Sequence, residues 1–142
     1  MLVKALIGAL LVQVLLTFVL LYWLGIARAR SARRGEVRVK DVALSSVPWP
    51  DRLKQIANAY QNQLEVPVLF YAAALLAIVA GVVDAFVVGL AWAFVALRIV
   101  HAAIHVTHNV VIRRFQVFVA GVVVLSVMWS YIGLRVLASG SI

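Results

Sequence analysis

Four long apolar stretches dominate this sequence of 142 residues and restrict what it can fold into. A helix needs about 20 apolar residues to cross the hydrocarbon layer of a bilayer, which is about 30 Å thick. The stretches predict helices at about residues 2–26, 51–80, 85–111 and 114–138. Hydrophobic residues make up 65% of the chain, against roughly half in a soluble domain. We therefore predict an all-α membrane protein, a four-transmembrane-helix up-down bundle that forms a single domain over residues 1–142.

Positive charge is unevenly distributed along the chain. Thirteen Lys and Arg residues face only five Asp and Glu residues, and six of the basic residues lie in the polar loop 27–50. Most of the others lie on the same predicted face, whereas the opposite face carries only Lys4 and Arg135. The positive-inside rule places the basic loop in the cytoplasm and both termini outside it. This pattern predicts a multi-pass protein of the bacterial inner membrane that contacts lipids and no nucleic acid.

The two central predicted helices each carry a stripe of polar side chains at steps of three or four residues. A charged side chain inside a bilayer is costly, so such residues turn inward and pair. If the two helices are antiparallel neighbours, facing residues have the same sum of residue numbers. This register predicts a buried Glu65–Arg98 ion pair and brings Asn62 opposite His101. The stripes comprise Gln55, Asn58, Asn62 and Glu65 on the second helix and Arg98, His101, His105 and His108 on the third.

The loop-proximal half of these stripes predicts a cationic pocket for an anionic ligand that enters from the cytoplasm. Arg113-Arg114 marks the predicted turn between the last two helices, and Pro67 is expected to bend the second helix. A polar clasp between helices is the plainer interpretation of the stripes. The chain has no cysteine and the histidine ladder lacks a carboxylate at this end, so we predict no metal site.

At these residues the sequence resembles the MAPEG family, the membrane-associated proteins in eicosanoid and glutathione metabolism, and in particular its bacterial-type members. Arg52, the segment Asn62-Gln63-Leu64-Glu65 and Pro67 are similar to the Arg…Asn-x-x-Glu…Pro pattern of the family. The segment Arg98-Ile99-Val100-His101 is similar to the Arg-x-x-His or Arg-x-x-Tyr of prostaglandin- and leukotriene-synthase members. The resemblance covers nearly the whole chain.

The resemblance implies a homotrimer that holds glutathione, as a co-substrate, between neighbouring subunits. It assigns stabilisation of the glutathione thiolate to Arg114, with Arg113 close behind, because a cation lowers the pKa of a thiol and the thiolate is the nucleophile. It also implies a small apolar substrate from the lipid phase. The implied binding residues are Arg52, Asn58, Asn62, Glu65, Arg98, His101 and His105.

Three functions remain open at the level of sequence. The leading hypothesis is a glutathione-dependent transferase or peroxidase that acts on apolar electrophiles. The alternative is a non-catalytic lipid-binding or accessory membrane subunit, because Asn58 and His105 depart from the residues common in catalytic members. A third hypothesis treats the histidine ladder as a proton or ion route, since ionisable residues inside a membrane often mark pathways.

Overall fold

The computed structural model describes residues 1–37 and 49–138. Within these residues the chain is helical and contains no strand. Four spans are long and apolar enough to cross a membrane, and the second is divided into two helices. The prediction of an all-α four-span membrane protein is therefore confirmed. The helices are α1 (Leu2–Arg33), α2 (Asp51–Gln61), α3 (Val66–Val79), α4 (Ala85–Val106) and α5 (Val111–Ala138).

Small and aromatic side chains fill the centre of the bundle. Ala73, Ala74 and Ala77 of α3 are fully buried, and residues of this size let membrane helices approach closely. Phe70 stacks on Phe94 of α4, with ring centroids 4.9 Å apart. The helix pair α4–α5 is the most extensive in the bundle, and α4 also packs against α1 and α2. The span that carries the histidines therefore lies at the centre of the molecule.

The second span breaks between α2 and α3, where Pro67 is the second residue of α3. Proline lacks an N–H, and its ring clashes with the carbonyl four residues earlier in a continuous helix. The chain therefore leaves the helical path over residues 62–65 and starts again at Val66. The predicted bend at Pro67 is present as a complete interruption.

The connection between the last two spans lies earlier than the sequence predicted. Helix α4 ends at Val106 and α5 begins at Val111, so Arg113 and Arg114 lie in the first turn of α5 and not in the loop. Asn109 has a φ of 48° and its N–H bonds to the carbonyl of Ile104 at 2.8 Å. Asn tolerates this left-handed conformation better than most residues. The apolar character of residues 110–112 concealed this turn from the pattern.

The first helix is longer than predicted. It extends to Arg33, whereas its apolar stretch ends near residue 26. Part of the predicted loop 27–50 is thus helical, and its arginines project from the last turns of α1. Arg38 and Lys40, which also belong to the predicted loop, lie outside the described residues.

Candidate functional site

Arg98 of α4 donates hydrogen bonds to the non-helical segment 62–65 that interrupts the second span. Its side chain is only 2% exposed, and Nη2 donates to the backbone carbonyl of Asn62 at 2.8 Å and to Asn62 Oδ1 at 2.7 Å. The broken helix leaves this carbonyl without a helical partner, so a guanidinium is well suited to satisfy it. Arg98 therefore fixes the position of Asn62, which lines the cavity described below.

The predicted Glu65–Arg98 ion pair is wrong. Glu65 accepts a hydrogen bond from Asn62 Nδ2 at 3.1 Å, and Asn62 lies between the two charges. Residues 62–65 are not helical, so the pairing expected of a continuous second helix does not apply to Glu65. The polar stripes do face each other, as predicted, but with Asn62 opposite Arg98.

The polar residues of α2 also cap the end of α4. Gln55 Nε2 donates to the carbonyls of His105 at 2.7 Å and Thr107 at 3.1 Å, and Arg52 Nη1 donates to the carbonyl of Val106. The last carbonyls of a helix have no partner within the helix. Arg52 and Gln55 therefore fix α2 against the end of α4.

A cavity of about 220 Å³ opens between the break in the second span, α4 and the start of α5. Three of the predicted site residues, Asn62, His101 and Arg114, lie on its wall. The remaining wall is apolar. It consists of Val111, Phe115 and Phe118, all from α5.

Arg114 is positioned by the turn before it. Its Nη1 donates to Asn109 Oδ1 at 2.5 Å, so the left-handed asparagine both ends the α4 connection and orients the guanidinium. Arg113, its neighbour, is exposed and does not line the cavity. Within residues 1–37 and 49–138 its side chain has no hydrogen bond or ion pair. Of the two predicted catalytic arginines, Arg114 is the one that the fold directs to the cavity.

Two of the three histidines are buried beside the cavity. His101 is 3% exposed and His105 is 6% exposed, and their rings meet edge to face at 5.8 Å. The Nδ1 atom of each has no hydrogen-bond partner in the described part of the chain. Buried polar atoms are nearly always satisfied in proteins. His101 lines the cavity, and its buried Nδ1 is a polar atom without a partner among the described residues.

The other predicted binding residues lie around the cavity rather than on its wall. Glu65 contacts the cavity residue Asn62 but does not line the cavity. His105 contacts the ring of His101 and is not on the wall either. Asn58 and Glu65 are exposed in the single chain. His108 is exposed as well.

Asn109 and the three apolar residues of the wall were not predicted from the sequence. Asn109 sits between the last histidine and a run of apolar residues, which is a position typical of a helix end. Phe115 and Phe118 are three residues apart at the start of a span. This spacing places both on one helical face, and Arg114 adjoins it.

The described part of the chain holds no group of three metal-binding side chains. The site offers a cation, an amide and a buried imidazole above an aromatic wall. This set suits a polar anionic ligand whose reactive end faces apolar surroundings. No curated protein matches the chain significantly, and no solved structure does so. A model of the MAPEG family matches residues 6–134, and the chain therefore belongs to the MAPEG family.

Proposed function

We propose that this protein is a glutathione-dependent transferase or peroxidase that acts on apolar electrophiles taken from the membrane. The observation that carries the proposal is the single cavity that joins Arg114 to Asn62 and His101 against the aromatic wall of α5. Family membership supports the choice of glutathione as the ligand.

In this proposal Arg114 stabilises the thiolate of glutathione. A thiol loses its proton more readily beside a guanidinium, and the thiolate is the attacking species. In the transferase reaction the sulfur bonds to the electrophilic atom, and the leaving group takes the bonding electrons with it. Asn62 and His101 hold polar groups of glutathione, while Phe115 and Phe118 contact the apolar electrophile.

A neighbouring subunit completes the site. Glu65 is near the centre of the second span in sequence, directly before its apolar helix α3, and it is exposed in the single chain. An ionisable side chain that faces lipid at the centre of a membrane helix costs about 2.5–3.5 kcal/mol on insertion scales. A second copy of the chain against this face removes that cost and brings Asn58 and Glu65 into the site. This is the basis on which we propose the homotrimer.

The thiolate signal of bound glutathione tests the proposal. Purified protein should show a rise in ultraviolet thiolate absorbance with saturating glutathione near neutral pH. Arg114→Ala should abolish the rise, and Arg114→Lys should retain part of it, because a cation remains. Arg113→Ala is the matched variant, since it removes the adjacent, exposed arginine. Equal loss in both alanine variants, or no signal in the native protein, would contradict the assignment to Arg114.

An apolar pocket elsewhere in the protein favours the alternative of a lipid-binding subunit. It has a volume of about 210 Å³ and lies between α1 and the second span, lined by Phe18, Leu21, Tyr60 and Tyr71 among others. In this alternative the pocket holds an acyl chain and the protein performs no chemistry. Mass spectrometry of the protein in native-like lipid separates the two functions. A retained lipid with no glutathione complex supports the alternative.

A further inference from the structure

A second polar cavity, separate from the cavity at Arg114, lies between the last turns of α1 and the first turns of α2. It has a volume of about 260 Å³ and shares no lining residue with the cavity at Arg114. We name it the arginine cleft, after Arg30, Arg34 and Arg52 on its wall. Ser31, Glu36 and Trp23 also line it.

The positive charge of the arginine cleft is only partly balanced. Three guanidinium groups face one carboxylate, that of Glu36. Glu36 accepts a hydrogen bond from Ser31 Oγ at 2.7 Å and lies 3.8 Å from Arg34 Nη1. Arg30 has no side-chain hydrogen bond or ion pair among residues 1–37 and 49–138. Within the described parts of the chain, the cleft therefore retains unused donors beside an excess of positive charge.

Arg52 is held in place at the edge of the arginine cleft. One of its nitrogens donates to the carbonyl of Val106, and its guanidinium lies 5.5 Å from the ring centroid of Trp23. Both contacts limit the motion of the side chain before any ligand arrives, and stacked arginines of this kind are favoured in phosphate recognition.

The surroundings of the arginine cleft match the level of lipid headgroups. Trp23 is of the type enriched at the membrane interface, and Ile26, Leu53 and Ile56 form an apolar part of the wall. Basic pockets between membrane helices bind the phosphate groups of anionic lipids. Several planar guanidinium groups can bind the separate oxygens of one tetrahedral anion. We propose that the arginine cleft binds the phosphate group of an anionic ligand, either a phospholipid headgroup or free phosphate.

Lipid binding by native mass spectrometry tests this proposal. The whole protein is titrated with phosphatidylglycerol and, separately, with phosphatidylcholine of identical acyl chains. Phosphatidylglycerol should bind more tightly, and Arg30→Gln/Arg34→Gln should weaken it about tenfold, as expected for loss of charge-assisted hydrogen bonds. The matched control is Arg28→Gln/Arg33→Gln, which removes the same charge from exposed residues of α1 outside the cleft. The control should bind phosphatidylglycerol as the native protein does.

Inorganic phosphate, as a second probe, identifies the source of the anion. If phosphate alone raises the melting temperature of the native protein but not of Arg30→Gln/Arg34→Gln, and phosphatidylglycerol has no preference over phosphatidylcholine, the ligand is a soluble phosphate. A preference for phosphatidylglycerol that is lost only in the cleft variant identifies the lipid. Equal weakening in both double variants, or displacement of phosphatidylglycerol by glutathione, would overturn the proposal.

A charge-preserving variant guards against failure of the glutamine variant to fold. Arg30→Lys/Arg34→Lys keeps the positive charge and removes the guanidinium forks, so it should bind phosphatidylglycerol about threefold more weakly. Unchanged binding in this variant would count against the proposal. The glutathione signal of Arg114 should persist in all these variants, because the two cavities share no residue.

Discussion

At the residue scale, one asparagine determines how the polar interior is organised. Asn62 accepts two hydrogen bonds from Arg98 and donates one to Glu65. The Asn62 side chain thus connects Arg98 and Glu65, which make no direct hydrogen bond to each other. A buried guanidinium that lost this partner would keep its desolvation cost without compensation.

A double-mutant cycle measures this connection. Asn62→Ala and Arg98→Gln should show a coupling energy of about 1–2 kcal/mol for unfolding, because a charged hydrogen bond is lost on either side of the pair. The cycle of Glu65→Gln with Arg98→Gln should show a smaller coupling energy, because these two groups interact only through Asn62. Unfolding in detergent mixtures would provide the energies. A larger coupling for Glu65 than for Asn62 would restore the direct ion pair predicted from the sequence.

At the element scale, a polar cluster fastens the start of α4 to the end of α5. Asp84 caps α4 by accepting from the N–H groups of Phe86 and Val87, both at 3.0 Å. Its other oxygen accepts from the hydroxyl of Tyr131 at 2.5 Å and from Arg135 at 2.7 Å. These hydrogen bonds, that of Tyr131 first, hold the pKa of the Asp84 carboxyl below its ordinary value of 3.8.

The cluster predicts an acid-sensitive bundle. Because the pKa of Asp84 is lower in the folded protein, its contribution to stability is complete above about pH 3.8 and is lost as the pH falls towards the folded value. Asp84→Asn keeps a capping oxygen, so it should be less stable than the native protein near neutral pH and lose less stability on acidification. Thermal unfolding across this range provides the measurement.

Asp51→Asn is the matched control for this acid response. Its carboxylate is almost fully exposed and, among the residues that the structure describes, pairs only with Lys54 at 3.0 Å. The chain has just five acidic residues, so few other groups contribute to the response. If Asp51→Asn and Asp84→Asn changed the acid profile equally, the Asp84 cluster would not be its source.

At the scale of the whole molecule, the protomer presents an incomplete surface. Most large apolar side chains of α1, and several of α5, are exposed, as expected of helices that face lipid or another subunit. Glu65 and Asn58 interrupt this apolar surface at the candidate site. A lipid contact satisfies the apolar residues but not the carboxylate, and this difference supports the proposed trimer.

The proposed trimer can be tested at this scale with single cysteines, because the chain has none of its own. Native mass spectrometry from lipid should give three chains per particle. In Glu65→Cys the thiol should react slowly with a maleimide in the assembled protein and quickly after dissociation, because a neighbouring subunit covers it. Asp51→Cys, at an exposed position at the start of α2, should react quickly in both states. A monomeric mass with rapid labelling at position 65 would contradict the trimer.

Local composition determined much of this fold. The number of spans follows from the apolar stretches, since each must be long enough to cross the bilayer. The facing of the two polar stripes follows from the cost of exposing Arg98 and the histidines to lipid. The residue pattern around Asn62, Glu65 and Pro67 was also enough to predict the family.

Tertiary structure alone decided which of these residues meet. The helix breaks before Pro67. Arg98 therefore bonds to Asn62, which is three residues, or about one helical turn, before the predicted partner Glu65. The left-handed Asn109 decides that Arg114, rather than Arg113, reaches the cavity. Both outcomes depend on where helices stop. Helix ends are set by which orphaned backbone groups find partners in other elements, and the periodicity of a single segment does not contain that information.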